Sequence, residues 1–259
     1  MVIHTVEAEE QYSMEDKKRR KIGIMGGTFN PVHVGHLLLA ENAYSMFSLD
    51  EILFIPSGCP YMKDPKEILD GATRLRMTEL SIRDNPHFSL SSMEIDRGGY
   101  TYTCQTLEQL EKENPDCDYF FIMGADSLFQ MEEWREPEII FQKAVILAAV
   151  REGRGTRDLE EKAKQLTERF RARIHLVPAG NIAISSSDIR LRIQEGRSIR
   201  YMVHDKVREY IEDNQLYRSG SAPVSQENRH EKRIKKLHGN PGDPHAAQID
   251  GKSAGGETV

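Results

Sequence analysis

Six short apolar runs alternating with amphipathic helical stretches predict an α/β fold, a doubly wound parallel sheet with helices on both faces. The first run ends in a Gly-Gly loop that leads into a helix, and such sheets bind ligands past the carboxyl ends of their strands. In chain order, Ile22–Met25 (IGIM) reads as a strand from its β-branched residues, and Leu37–Met46 as a helix from apolar residues recurring at three and four. Ile52–Ile55 (ILFI) is the second strand, and Arg74–Arg83, with Met77 and Leu80 on one face, the second helix. Phe88–Ser91 alternates apolar and polar residues as a half-buried strand does, and Tyr102–Lys112 sets Leu107 and Leu110 three apart. Tyr119–Met123 and Val145–Ala149 are continuous apolar runs, as expected of strands covered on both faces. Leu159, Ala163, Leu166 and Phe170 mark a helix over Leu159–Phe170, and Ile174–Val177 is the last strand. Parallel neighbours need crossovers, which are right-handed in nearly all such folds.

Composition bounds the rest. The chain has 259 residues, 38% hydrophobic and 29% charged, with 19 Gly and 11 Pro in no Gly-X-Y period, which excludes a collagen-like chain. No run approaches the roughly 18 apolar residues of a membrane helix, and the charged start lacks the apolar core of a secretory signal. Three cysteines (Cys59, Cys104, Cys117) without CxxC spacing suit a reducing compartment, so a cytoplasmic protein is expected. A net charge of -6 argues against general nucleic-acid binding without forbidding a local anion site. Residues 219–259, rich in Gly, Pro, Ser and charge, hold too little apolar surface to offset the entropy of ordering, and are read as a disordered tail. With residues 1–20 as a charged leader, residues 21–218 form a single domain, a size at which one core suffices.

The chemistry concentrates in KIGIMGGTFNPVHVGHLLLAE. Paired glycines after a strand let backbone approach a phosphate, and a helix N-terminus offers unpaired N–H groups with a partial positive charge. The segment lacks both GxGxxG and the P-loop pattern. Its distinctive element is His33-Val34-Gly35-His36, two imidazoles at i and i+3 on one face with a glycine between them. Imidazole N–H groups can donate to phosphoryl oxygens and stabilise charge developing there. A zinc site is the weaker reading, because neither HExxH nor a nearby third ligand is present.

With its Gly-Gly-Thr-Phe loop, this segment resembles the signature of the nucleotidyltransferase superfamily that carries the (H/T)xGH motif, whose members have a Rossmann-like fold. Further segments resemble the bacterial nicotinate mononucleotide adenylyltransferases: FIPSGCPYMKD, ATRLRMTEL, GGYTYTCQTLEQL, YFFIMGADSLFQMEEWREPEII, NIAISSSDIRLRI and the terminal HDKVREYIEDNQLY. The likeness spans roughly residues 22–217 and departs from the family at Met62, where histidine is common, at Gln105, where aspartate is frequent, and at Ser187, which replaces threonine.

The resemblance implies transfer of the adenylyl group of ATP to nicotinate mononucleotide, with Mg²⁺ accompanying ATP. His33, His36, Lys63 and Arg190 would stabilise the reacting phosphates. Gly26, Gly27, Thr28, Phe29, Gly35, Gly124, Asp126, Ile184, Ser185, Ser186 and Ser187 would hold ATP, with Asp126 placed to accept from ribose hydroxyls or from backbone N–H groups. Trp134, the only tryptophan, would stack on the pyridine ring, with Tyr102, Thr103 and Arg135 completing the acceptor site. Arg74 reads as a structural cation or a phosphate partner, and Thr103 equally as a helix N-cap. A nicotinamide or other phosphate acceptor, cytidylyl transfer and a non-catalytic nucleotide-binding regulator stay open as alternatives. No nucleic-acid or membrane partner is expected, and a homo-oligomer is compatible with the sequence.

Overall fold

A computed structural model describes residues 18–60, 68–150, 156–179 and 183–218. Its elements run β1 (Arg20–Gly27), α1 (Val34–Phe47), β2 (Glu51–Pro56), β3 (Cys59–Pro60), α2 (Gly71–Ile82), β4 (Phe88–Leu90), α3 (Met93–Arg97), β5 (Tyr100–Thr101) and α4 (Thr103–Glu113). They continue with β6 (Cys117–Met123), α5 (Ala125–Gln130), a single 3-10 turn (Met131–Glu133), α6 (Pro137–Lys143), β7 (Ala144–Val150), α7 (Thr156–Phe170), β8 (Ile174–Pro178), α8 (Ser186–Gln194) and α9 (Asp205–Asp213). All six expected strands are present, in one sheet of order β4-β2-β1-β6-β7-β8 whose neighbours are parallel.

Alternation along the strands divides the core. Ile22, Ile24, Phe121, Met123, Ile146 and Ala148 point to one face, against α4 to α7. Met25, Ile122, Val145, Leu147 and Ala149 point to the other, against α1, α2, α8 and α9. Helices thus cover both faces, and the strands are apolar on each. The chain leaves β1 outward through β2 to β4, then returns to β1's other side with β6, so the strand order reverses between β1 and β6. A crevice opens at such a reversal, at the carboxyl ends of the flanking strands.

Several boundaries differ from the sequence reading. The first strand begins at Arg20, which pairs with Cys117, and Arg19 just before it bonds Asp118 at 2.7 Å. A two-stranded parallel pair, β3 with β5, sits beside the main sheet. By its internal contacts the chain divides into units Met1–Arg218 and Ser219–Val259. The tail itself lies outside the described residues.

Candidate active site

The loop joining β1 to α1 follows the bottom of the crevice. Gly26 and Gly27 are small because aromatic rings lie against them: a Cβ would stand 3.3 Å from Phe121 and 3.0 Å from Phe29. Phe29 takes the left-handed conformation, φ 48°, a strained state for a non-glycine residue. Its ring is buried between His36, edge-on at 5.1 Å, and Phe54 at 6.0 Å, so it supports the loop from below.

His33 is the N-cap of α1 and His36 its third residue. Their rings stack with centroids 3.7 Å apart, and the His33 backbone N–H donates to His36 Nδ1 at 3.2 Å. An accepting Nδ1 leaves the proton of a neutral imidazole on Nε2, so His36 is set up as an Nε2–H donor. A Cβ on Gly35 would come within 3.1 Å of His33 Nδ1, so the glycine makes room for the imidazole beside it. His33 is 8% exposed, and burial holds its pKa down, from 6.5 to about 4. The helix terminus is less open than the sequence implied. Val34 N–H already donates to Met202 carbonyl at 2.9 Å and His36 N–H to His33 carbonyl at 2.9 Å.

Remote side chains fix the same loop. Arg74, 1% exposed, donates from Nε to Leu69 carbonyl (2.9 Å), from Nη1 to Thr28 carbonyl (2.8 Å) and from Nη2 to Gly58 carbonyl (2.8 Å). It joins the loops after β1 and β2 from inside the protein, with Asp70 and Glu94 near enough to favour its charge while burial opposes it. Of its two sequence readings the structural one describes these contacts.

The serine run of α8 works mainly on the protein too. Ser185 is the N-cap, accepting from Asp188 N–H at 3.1 Å, and Ser186 Oγ donates to Pro31 carbonyl at 2.8 Å. Arg190 Nη1 donates to Asn30 carbonyl at 2.9 Å, and Nη2 reaches Ser187 Oγ at 3.5 Å. Those hydroxyls and part of the guanidinium therefore hold loop and helix together. The first-turn amides of Ser186 and Ser187 occupy positions where a helix leaves its donors without intrahelical partners.

The opposite wall comes from β6 and the segment after it. Gly124 is the N-cap of α5 and places Asp126, exposed, in the helix's first turn, complementary to the partial positive charge there. Trp134 closes the 3-10 turn, half-buried, with its ring edge-to-face on Phe121 at 6.1 Å and its indole Nε1 buried without a hydrogen-bond partner among the described residues. Arg135 lies over the Tyr102 ring, 4.7 Å from its centroid. Thr103 is the first residue of α4 and Tyr102 its N-cap, so Thr103 is not the cap.

One cavity of about 970 Å³ gathers most of the expected residues. Gly26, Gly27, Thr28, Phe29, His33, Gly35, His36, Gly124, Asp126, Trp134, Ile184, Ser186, Ser187 and Arg190 all line it. Ser185, Tyr102, Thr103 and Arg135 do not, although Arg135, which lies over the Tyr102 ring, directly follows the lining residue Trp134. Lys63 and Met62 lie outside the described residues. Sequence reasoning missed Asn30 and Tyr217, and also Thr156, Asp158 and Leu159, by which α7 closes one side. Asn30 sits inside the motif; the α7 residues carry no local signal. Among the described residues no group of three metal-ligating side chains occurs.

The cytidylyltransferase-like family matches residues 24–192, the span that holds this cavity's two halves. The chain belongs to that family. Within it, the chain falls among the nicotinate-nucleotide adenylyltransferases. It is 47% identical over 198 residues to a protein of Lachnoclostridium phytofermentans named "Probable nicotinate-nucleotide adenylyltransferase", covering 76% of this chain and 99% of that one. A Moorella thermoacetica protein of the same name is 40% identical, covering 76% and 92%. Solved structures share the fold. The Plasmodium falciparum nicotinic acid mononucleotide adenylyltransferase complexed with NaAD superposes with a TM-score of 0.64 at 19% identity, over 76% of this chain and 97% of that one. The same enzyme complexed with APC gives 0.62 at the same identity and coverage.

Proposed function

We propose that this chain transfers the adenylyl group of ATP to nicotinate mononucleotide, forming nicotinate adenine dinucleotide and pyrophosphate. The observation that carries the reading is convergence: the HxGH imidazoles, the first turn of α8 and the Asp126–Trp134 wall face one cavity at the strand-order reversal. Membership of the nicotinate-nucleotide adenylyltransferases supports it.

In the proposed step an oxygen of the acceptor phosphate bonds to the α-phosphorus of ATP, and the bond from that phosphorus to the bridging oxygen breaks, releasing pyrophosphate. The attacking phosphate is already ionised near neutral pH, so no general base is needed. The protein's part is alignment and stabilisation of phosphoryl charge. His36, its proton directed to Nε2, and a neutral His33 supply imidazole N–H donors, while Arg190 and the α8 terminus add positive potential. Asp126 suits a ribose hydroxyl as acceptor, and Trp134 offers an aromatic face to the acceptor, for which Tyr102, Thr103 and Arg135 are the further candidate residues. Mg²⁺ belongs to this reading as a companion of ATP, held through the triphosphate's oxygens and water, where it would offset phosphate charge. A cytoplasmic setting goes with it, since all three cysteines are free thiols.

The deciding experiment is a pyrophosphate-release assay with ATP or CTP against nicotinate mononucleotide, nicotinamide mononucleotide and phosphopantetheine. Turnover with ATP and the nicotinate acceptor well above every other pair is expected. Tight ATP binding without product from any acceptor would make the protein a regulator, and a different preferred pair would reassign the substrate. The same assay on residues 1–218 tests the further proposal that the tail is dispensable for catalysis; a lost activity there would refute it.

A further inference from the structure

The stretch Thr28–His33 carries four residues that line the cavity, Thr28, Phe29, Asn30 and His33, yet it is built from residues with few local ways to hold their shape. Phe29 is in a left-handed conformation that most side chains avoid, and Pro31 has no amide hydrogen to donate. Between them stands Asn30, 4% exposed, whose two oxygens are both used. Its carbonyl accepts from Arg190, and its side-chain Oδ1 accepts from Tyr217 OH at 2.9 Å and from Leu69 N–H at 3.4 Å.

Tyr217 is the tighter of those two described donors to Oδ1, and it comes from 187 residues away. It does not line the cavity. The side chain is held where it is by burial beside Leu216 and Ile211, and its hydroxyl also lies 4.0 Å from Met77 Sδ. Burial pushes the phenol's pKa well above its ordinary value, so the group stays protonated, as a donor, throughout the physiological range. The Oδ1 acceptor cannot find water in its place, because Asn30 is almost wholly enclosed.

We propose that Tyr217 is a positioning residue for the transfer reaction, its hydroxyl fixing through Asn30 where the Thr28–His33 stretch stands. The proposal rests on the adenylyl-transfer reading given above. Removing the hydroxyl loosens the loop without taking any group from the cavity wall. The loss then falls on the alignment needed for reaction, in kcat, and leaves substrate binding nearly as it was.

The test is Tyr217→Phe in the full chain, beside Ile211→Val, which removes a buried methyl group from α9 nearby without touching Asn30. Tyr217→Phe is expected to lower kcat about tenfold, the equivalent of about 1.4 kcal/mol, with both KM values within about twofold of wild type. Ile211→Val should lower the melting temperature by a few degrees and leave kcat alone. Histidine-labelled NMR supplies a readout independent of turnover: the His33 and His36 signals should shift in Tyr217→Phe and stay in place in Ile211→Val. An unchanged kcat in Tyr217→Phe, an equal fall in Ile211→Val, or unmoved histidine signals would each overturn the proposal. If the wild-type protein proves inactive, the reaction reading fails by itself and the histidine signals alone decide the positioning role.

Discussion

His33 should give stability a pH dependence of calculable size. Its imidazole is enclosed at the start of α1, and burial alone accounts for a pKa lowered from 6.5 to about 4. In the unfolded chain the ring takes up a proton near pH 6.5; in the native protein it refuses one until about pH 4. Over that interval the unfolded state binds more protons, so stability falls as pH falls. The contribution is fully present above pH 6.5 and is exhausted below about pH 4. At about 1.4 kcal/mol per pH unit the interval is worth on the order of 3 kcal/mol, a sizeable share of the roughly 5–15 kcal/mol that holds a domain together. Urea unfolding of wild type and His33→Gln at pH 7.5 and 4.5 measures it, because every other titrating group is common to both and cancels in the difference. Wild type should lose about 2–3 kcal/mol more than the variant on acidification. Parallel losses in the two proteins would show that His33 is not held neutral by its surroundings, and would remove the argument that it meets phosphate as an uncharged donor.

The remaining predictions concern the loop and the two walls. Arg74→Lys keeps a charge but cannot span three carbonyls. At about 1.5–3 kcal/mol for each of two lost charged hydrogen bonds, a melting temperature lower by about 10 °C is expected by calorimetry, and a change of a degree or two would contradict the stapling role. His36→Ala should lower kcat by about 10² to 10³ with little change in melting, and near-wild-type turnover would exclude His36 from charge stabilisation. Trp134→Ala should raise the KM for nicotinate mononucleotide by roughly ten- to a hundredfold, the range expected for a lost stacking platform, with kcat largely kept; an unchanged KM would take the indole out of the acceptor site.

The sheet was legible because its strands are long apolar runs whose burial on both faces leaves a composition signature, as in Val145–Ala149. The β3–β5 pair was not, since Cys59-Pro60 and Tyr100-Thr101 are too short to display any period. Arg20 is a charged residue at a strand's exposed start, and only its ladder partner Cys117 shows that it belongs to β1. In the site, the imidazole pair could be read because an i, i+3 spacing dictates a shared face. What the serine run and Arg190 bond to could not. A hydroxyl at a helix start suits a phosphate and a carbonyl equally, and the carbonyl of Pro31 lies 155 residues away in sequence. The same distance problem hid Tyr217, which in sequence is only the end of an amphipathic helix and its flank.

The clasp on the first loop has a consequence for how this protein can be made. Ser186, Arg190, Met202 and Tyr217 all follow the last strand, and all bond to residues 30–34. During synthesis the signature motif emerges among the earliest residues of the domain, while the groups that hold it in shape emerge last. A nascent chain or an amino-terminal fragment can contain both histidines and still lack the arrangement that gives them their function. Contacts this distant in sequence also slow folding, because the entropy of closing the intervening chain must be overcome before they form. Competence to react is therefore a property the domain acquires only on completion, at its very end.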